Sequence, residues 1–123
     1  MIYRLRIERW HPVTTNKLLH CHHMTAARLK RDDKNLICGY CLANRIPIAQ
    51  GPREVSLTIT RGASQRGKDP DPDAFWKSLL DALVHARMLI DDNKAYCRLG
   101  NVEFIRGPER ATMIELRDLY LGD

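Results

Sequence analysis

The feature that most limits the fold is a clear strand pattern followed by a clear helix pattern in the middle of the chain. In residues 54–60 apolar and polar side chains alternate, which predicts a half-buried β-strand. In residues 72–88 apolar side chains recur at helical spacing, opposite a polar stripe. A strand, a polar loop and an amphipathic helix in this order favour an α/β or α+β fold.

The flanking patterns extend this prediction to a small mixed sheet of about four strands with two main helices packed on it. Residues 1–10 alternate and predict the first strand, and residues 11–16 predict a loop. Residues 24–44 predict the first helix, while residues 101–106 and 112–119 predict a closing hairpin. The order is β-α-β-α-β-β, and all of residues 1–123 are expected to form a single domain.

The charges are unevenly distributed. Twenty Lys and Arg residues face fifteen Asp and Glu residues, for a net charge of +5. Six of the acids fall within 24 residues, namely Asp69, Asp71, Asp73, Asp81, Asp91 and Asp92. The rest of the chain is therefore more basic than the total suggests. Such a surface either faces phosphate or is simply a soluble basic surface. No apolar run could span a bilayer or serve as a leader after Met1, so we expect a cytoplasmic protein with reduced cysteines.

The predicted second helix begins at Asp71-Pro72-Asp73. Proline suits the first helical position, which makes Asp71 the N-cap and puts Asp73 in the first turn, where the helix dipole favours a carboxylate. If the later Asp91-Asp92 turn folds back, Asp92 joins this pair. Three clustered carboxylates need a cation between them, and oxygen ligands suit Mg²⁺ or Mn²⁺. A metal site and a set of helix caps with solvated acids both remain open.

The same segment resembles the RusA-type Holliday-junction resolvases. The shared order is Asp-x-Asp, a lysine four residues later, Asp-Ala-Leu and then Leu-x-Asp-Asp, and it covers mainly residues 66–94. Pro12 and Thr15-Asn16 are similar to the loop after the first strand of that family. The chain departs from the pattern at Ala74, where the family has asparagine, around Arg87-Met88, where it has glycine, and at Asn93-Lys94, where Ala-Gln is common.

The resemblance implies a Mg²⁺-dependent endodeoxyribonuclease, with Mn²⁺ as a substitute, that resolves four-way DNA junctions by paired phosphodiester hydrolysis in recombination and repair. Asp71, Asp73 and Asp92 would hold the metal, and Lys77 would orient a carboxylate or stabilise charge on the phosphate. Asp81 and Asp91 would be auxiliary. It also implies a homodimer of bacterial or phage origin, with no organic cofactor and no membrane partner. The expected DNA contacts are Asn16, Lys17, Arg28, Arg66 and Lys68.

Two alternatives come from other functional classes. One is a catalytically silent nucleic-acid-binding protein that uses its aspartates as caps. The other is a zinc-stabilised binding module built on His20, His22, Cys38 and Cys41, because Cys-x₂-Cys is a zinc-ligand spacing. Against zinc, both cysteines fall in a helical pattern beside apolar residues, where free cysteine usually acts as a small core residue.

Overall fold

The computed structural model of the protein describes residues 1–119, so the predicted domain of residues 1–123 includes four residues outside this range. In chain order the elements are β1 (Ile2–Glu8), α1 (Thr15–His20), α2 (His23–Ala43), β2 (Arg53–Arg61), a 3₁₀ helix (Pro72–Phe75), α3 (Trp76–His85), β3 (Cys97–Arg106) and β4 (Ala111–Asp118). The predicted small α+β fold, with a mixed sheet of four strands and two main helices, is confirmed.

The four strands lie in the order β1-β4-β2-β3. Strands β1 and β2 both pair antiparallel with β4, and β2 pairs parallel with β3. The predicted hairpin of the last two strands is therefore wrong, because β2 separates them. Helix α3 connects β2 to β3, and a helical crossover joins parallel neighbours. The turn after β3 then crosses the end of β2, where Gly107 N donates to Arg61 O at 3.0 Å.

The core lies between one face of the sheet and the two longer helices. Apolar side chains from all these elements are almost fully buried, among them Leu5, Ile7, Ile37, Val55, Leu57, Ile59, Leu79, Leu83, Ile114 and Leu116. Each such side chain stabilises the fold by about 1.5–3 kcal/mol relative to exposure. None of the helices within residues 1–119 is both long and apolar enough to cross a membrane.

The predicted helix of residues 72–88 is shorter and less uniform than its pattern suggests. It begins as the 3₁₀ helix, continues as α3 and ends at His85. Arg87 then adopts a left-handed backbone with φ of 62°. That conformation normally favours glycine after a helix, and this is the region in which the chain departs from the glycine of the RusA-type pattern.

Helix α1 is a correction to the loop predicted for residues 11–16. The Thr14 hydroxyl accepts a hydrogen bond from Lys17 N at 3.2 Å and so caps the first turn. The Thr15 hydroxyl donates to the carbonyl of Ala74 at 3.5 Å. This contact brings α1 against the 3₁₀ helix and therefore beside the start of α3.

Candidate metal and nucleic-acid site

Two carboxylates stand at the start of the 3₁₀ helix. Asp71 is its N-cap, and its Oδ1 accepts from Asp73 N at 3.1 Å, so the predicted capping role is confirmed. Both aspartates are exposed. Within residues 1–119 the Asp73 carboxylate has no hydrogen-bond or salt-bridge partner. We call Asp71 and Asp73 the start pair.

The loop that leads to the start pair is held by two arginines. Arg61, buried at the end of β2, donates through Nη1 to the carbonyls of Gly67 at 3.2 Å and Lys68 at 2.8 Å. Arg106, its neighbour across the parallel strands, donates to the same Gly67 carbonyl at 2.9 Å. Because these bonds engage main-chain carbonyls, they fix the path of the loop and leave the side chains of Arg66 and Lys68 exposed.

Basic and polar side chains surround the start pair. Asn16 and Lys17 are exposed on α1, which contacts the 3₁₀ helix, while Arg66 and Lys68 are exposed on the preceding loop. Lys77 is exposed one helical turn after Asp73, and no salt bridge within residues 1–119 joins the two. The ammonium group of Lys77 is therefore available to an anion. The fifth predicted DNA contact, Arg28, is exposed on α2.

The Asp91-Asp92 segment forms a stiff turn after α3. Asp91 accepts from Asp92 N at 2.7 Å and from Asn93 Nδ2 at 3.2 Å, and Asn93 Oδ1 in turn accepts from Ala95 N at 2.9 Å. The Asp92 carboxylate is exposed and has no hydrogen-bond partner among residues 1–119. Of the two apolar residues that precede the turn, Leu89 is buried and Ile90 is 43% exposed. Asp91 therefore holds the turn, and Asp92 projects from it.

Asp92 does not return to the start pair within one chain. It lines a surface pocket with Asp81, His85 and Lys34, beside the second half of α3. A rise of about 2.0 Å per residue in the 3₁₀ helix and 1.5 Å in α3 puts Asp81 roughly 13 Å along the axis from Asp73. No three His, Cys, Asp or Glu side chains in residues 1–119 lie close enough together to hold a metal ion.

The two histidines of the zinc alternative likewise lie far from its two cysteines, at the opposite end of α2. Fifteen residues of α2 separate His23 from Cys38, which corresponds to roughly 22 Å. Cys41 is buried in the core, as expected from its helical pattern, and burial raises the pKa of its thiol to about 11. Cys41 therefore serves as a small core residue.

The sequence analysis did not predict that two arginines are buried, although the alternation of side chains along β2 indicates it. Arg53 and Arg61 stand at the two ends of β2, in the same alternation phase as the buried Val55, Leu57 and Ile59. An arginine at a strand position whose side chain points into the core is expected to be buried and hydrogen-bonded. Arg53 meets this expectation, because it donates to Asp118 at 2.8 Å and to two carbonyls.

Comparison of the chain with protein-family models and with curated proteins finds no match. The resemblance carried by residues 66–94 therefore stays a prediction. The features that bear on function are the start pair, the acidic turn and the basic side chains around them.

Proposed function

We propose that the protein is a divalent-metal-dependent endodeoxyribonuclease that cuts four-way DNA junctions. The observation that carries the proposal is the surface at the start of α3, where Asp71 and Asp73 are exposed among Asn16, Lys17, Arg66, Lys68 and Lys77. The cationic side chains suit a phosphate backbone. Carboxylates on such a surface would repel phosphate unless a cation lay between them.

The donor set of the start pair suits Mg²⁺. Asp71 has one carboxylate oxygen engaged by Asp73 N and one open, and the Asp73 carboxylate has no partner within residues 1–119. Mg²⁺ is commonly bound by one or two carboxylates together with water and substrate phosphates. Asp71 and Asp73 would therefore hold the ion, while Asp92 of the same chain lies too far away to join them. A bound divalent ion polarises a phosphate and lowers the pKa of a water molecule.

The chain's own residues supply the remaining roles. Lys77 offers an exposed ammonium group beside the start pair, where it would stabilise charge that develops on the scissile phosphate. Lys17, Arg66 and Lys68 would contact neighbouring phosphates and orient the DNA backbone. Asn16 would donate or accept hydrogen bonds at the same surface.

One observation favours a second function, a nucleic-acid-binding protein without catalysis. Asp71 makes an ordinary capping bond to Asp73 N, and this bond accounts for one of the two acids without any metal. Such a protein would bind branched or linear DNA through the same basic side chains. It would not cut DNA with any divalent ion.

The deciding experiment compares a labelled four-way junction with a linear duplex of the same length, with Mg²⁺ and with a chelator. We expect junction-selective nicking that requires Mg²⁺. Asp73→Asn should reduce cleavage by about a hundredfold or more while junction binding persists. Asp32→Asn, which makes the same change at an exposed position on α2, is the matched control and should cleave normally. Absence of junction-selective nicking by the unaltered protein would overturn the proposal.

A further inference from the structure

We propose that His11 is a positioning residue for the start pair, because its neutral ring ties down the loop of residues 62–69 that leads to Asp71. Protonation of the ring would free the first turn of this loop, so that the placement of the start pair would depend on pH. The inference rests on the proposed function only for the chemistry that the start pair performs. The change in the loop itself can be measured without DNA and without a metal ion.

The hydrogen bonds of His11 determine which ring nitrogen carries the proton. Nε2 lies 2.8 Å from the carbonyl oxygen of Thr60, near the end of β2. Because a carbonyl only accepts, Nε2 must donate, and Nδ1 of the neutral ring is then an acceptor. The side-chain nitrogen of Gln65 lies 3.4 Å from Nδ1 and donates to it, while Gln65 Oε1 accepts from Gly62 N at 3.0 Å. The neutral ring therefore joins β2 to the loop through bonds in which every donor meets an acceptor.

Protonation of His11 removes one of these bonds. The imidazolium carries a proton on each nitrogen, so its Nδ1–H would face the NH₂ group of Gln65. If the Gln65 amide turned over to offer its oxygen to Nδ1, its NH₂ group would face the N–H of Gly62 instead. The bond to Thr60 persists, because Nε2 donates in both forms of the ring. The bond that is lost therefore belongs to the loop in either orientation of the amide.

The main chain around His11 is held in place, so the ring itself does not give way. Asp33 of α2 accepts from Trp10 Nε1 at 3.1 Å and from Val13 N at 3.0 Å. These bonds, on both sides of His11 in the sequence, attach this segment to a helix of the core. Gln65 lies outside the helices and strands. We therefore expect Gln65 to be the partner that moves.

The groups around the ring favour its neutral form. Burial is the largest cause that lowers the pKa of His11, and the nearby cations Arg110 and Arg61 lower it further. The other two side chains against the ring are uncharged: Gln65 from the loop, and Phe75, whose ring centroid lies 6.4 Å away. Phe75 ends the 3₁₀ helix that carries the start pair, so His11 lies against that helix as well as against the loop.

The first turn of the loop is connected to the start pair through a few residues. Gln65 N donates to Gly62 O at 3.0 Å and closes this turn. Arg61, which bonds to the Gly67 carbonyl, holds the second half of the loop to β2 in both protonation states of His11. We therefore expect a local displacement, which reaches the start pair through the main chain, rather than unfolding of the loop.

An NMR titration of the wild-type protein, from about pH 8 to about pH 5, tests the inference. The Gly62 backbone amide, the Gln65 side-chain amide and the Asp73 backbone amide should shift with the same midpoint as the His11 ring. Below that midpoint the Gly62 amide should exchange with deuterium about three- to tenfold faster, relative to its intrinsic rate at each pH. The exposed His85 should titrate without moving any of these amides.

Gln65→Glu should reverse the sign of the pH dependence. A carboxylate at position 65 can accept from Gly62 N and from a protonated Nδ1 of His11 at the same time. The pKa of His11 should rise, and the Gly62 amide should now exchange more slowly below the midpoint than above it. A general effect of acid on stability would act in the same direction in both proteins. Exchange that accelerates equally on acidification in Gln65→Glu and in the wild type would overturn the inference.

Two histidine variants serve as a matched pair. His11→Gln should abolish the titration of the Gly62 amide. His85→Gln makes the same change at an exposed position on α3 and should preserve it. If a variant does not fold, the wild-type titration alone decides, because Gly62 and Asp73 amides that do not follow the His11 midpoint would overturn the positioning role.

The outcomes separate this inference from the proposed function. In a protein that nicks junctions, nicking should fall as the pH drops through the His11 midpoint, and His11→Gln should remove this step from the pH profile. Junction cutting by a protein whose loop amides ignore His11 would overturn the inference and leave the nuclease standing. Loop and Asp73 amides that follow His11, in a protein that cuts no DNA, would retain the positioning role and overturn the nuclease.

Discussion

Arg61 Nη1 donates a hydrogen bond to Asp69 Oδ1 at 3.2 Å, which ties the end of β2 to a residue two positions before Asp71. The guanidinium also bonds to the carbonyls of Arg66, Gly67 and Lys68. The start pair is therefore attached to the central sheet through this side chain. Asp69 is part of that attachment through its carboxylate.

Replacing Arg61 with methionine should loosen the loop and displace the start pair. Arg61 is buried and makes charge-assisted bonds, so Arg61→Met should lower the free energy of unfolding by about 2–3 kcal/mol. Urea denaturation measures this loss. Arg106→Gln removes two bonds from an exposed arginine to the same loop and should cost about 1 kcal/mol. Equal effects of the two substitutions would contradict the role assigned to Arg61.

Asp118 should matter far more to stability than a carboxylate in a surface ion pair. Its partner Arg53 is 2% exposed, and Asp118→Ala would leave that guanidinium with two carbonyls but no counter-charge. We expect a loss of about 2–4 kcal/mol by thermal or urea unfolding. Glu115→Ala breaks the exposed pair with Arg4 and should cost less than about 1 kcal/mol. The prediction fails if the two variants are equally stable.

Glycine at position 87 should stabilise the protein. Arg87 has a φ of 62°, a conformation that costs an L-residue about 1–2 kcal/mol but that glycine adopts freely. After the greater entropy of glycine in the unfolded chain is subtracted, Arg87→Gly should raise the free energy of unfolding by about 0.5–1 kcal/mol. Ala86→Gly, at a φ of −80°, should instead destabilise the protein. A destabilising Arg87→Gly would refute this account.

Stability should decline as pH falls below about 6.5, in part because of His11. Burial, which is the largest cause, lowers the pKa of His11 below 6.5 despite its bond to the Thr60 carbonyl at 2.8 Å. The unfolded chain then binds the proton more readily than the folded chain does. The stability that the neutral His11 contributes is therefore fully present above pH 6.5 and is lost as the pH falls toward the folded pKa. Unfolding at pH 7.5 and 5.5 should show a weaker pH dependence for His11→Gln than for the wild type. Identical dependences would exclude this role.

The salt dependence of DNA binding should show whether the loop next to the start pair contacts DNA phosphates. If Lys68 contacts a phosphate, Lys68→Gln should weaken binding to junction and duplex alike. It should also reduce the slope of log K against log salt by about 0.9. Arg4→Gln, on β1 and paired with Glu115, should leave the slope unchanged. A slope unaffected by Lys68→Gln would remove this residue from the proposed interface.

The sequence was most informative where side-chain periodicity decides local structure. Strand β2 and helix α2 lie within one or two residues of their predicted bounds, and Phe75, Leu79 and Leu83 occupy the predicted buried face. Side-chain periodicity does not show which strands lie next to each other in the sheet. The turn at Gly107-Pro108 indicates that the chain reverses, but only the α3 crossover and the packing around β2 decide that β3 and β4 flank that strand.

For the candidate site, the sequence predicted the capping geometry but not the distances. Asp71 and Asp73 occupy their expected places because capping is local. We expected Asp92 to lie beside Asp71 and Asp73 because of the resemblance and because the Asp91-Asp92 turn could fold back. Neither argument determines how far α3 extends along the sheet. Helix α1 was missed because its Thr14 cap and short length give almost no periodic signal.

The pairing of β1 with β4 has a consequence for biosynthesis. Ile2 lies opposite Arg117, so among residues 1–119 the strand that is made earliest pairs with the strand that is made latest. Until β4 has emerged from the ribosome, β1 is without this neighbour and one edge of β2 is open. Such long-range pairing slows folding and exposes strand edges to aggregation. Newly synthesised chains are therefore expected to depend on chaperones more than a helical protein of the same length would.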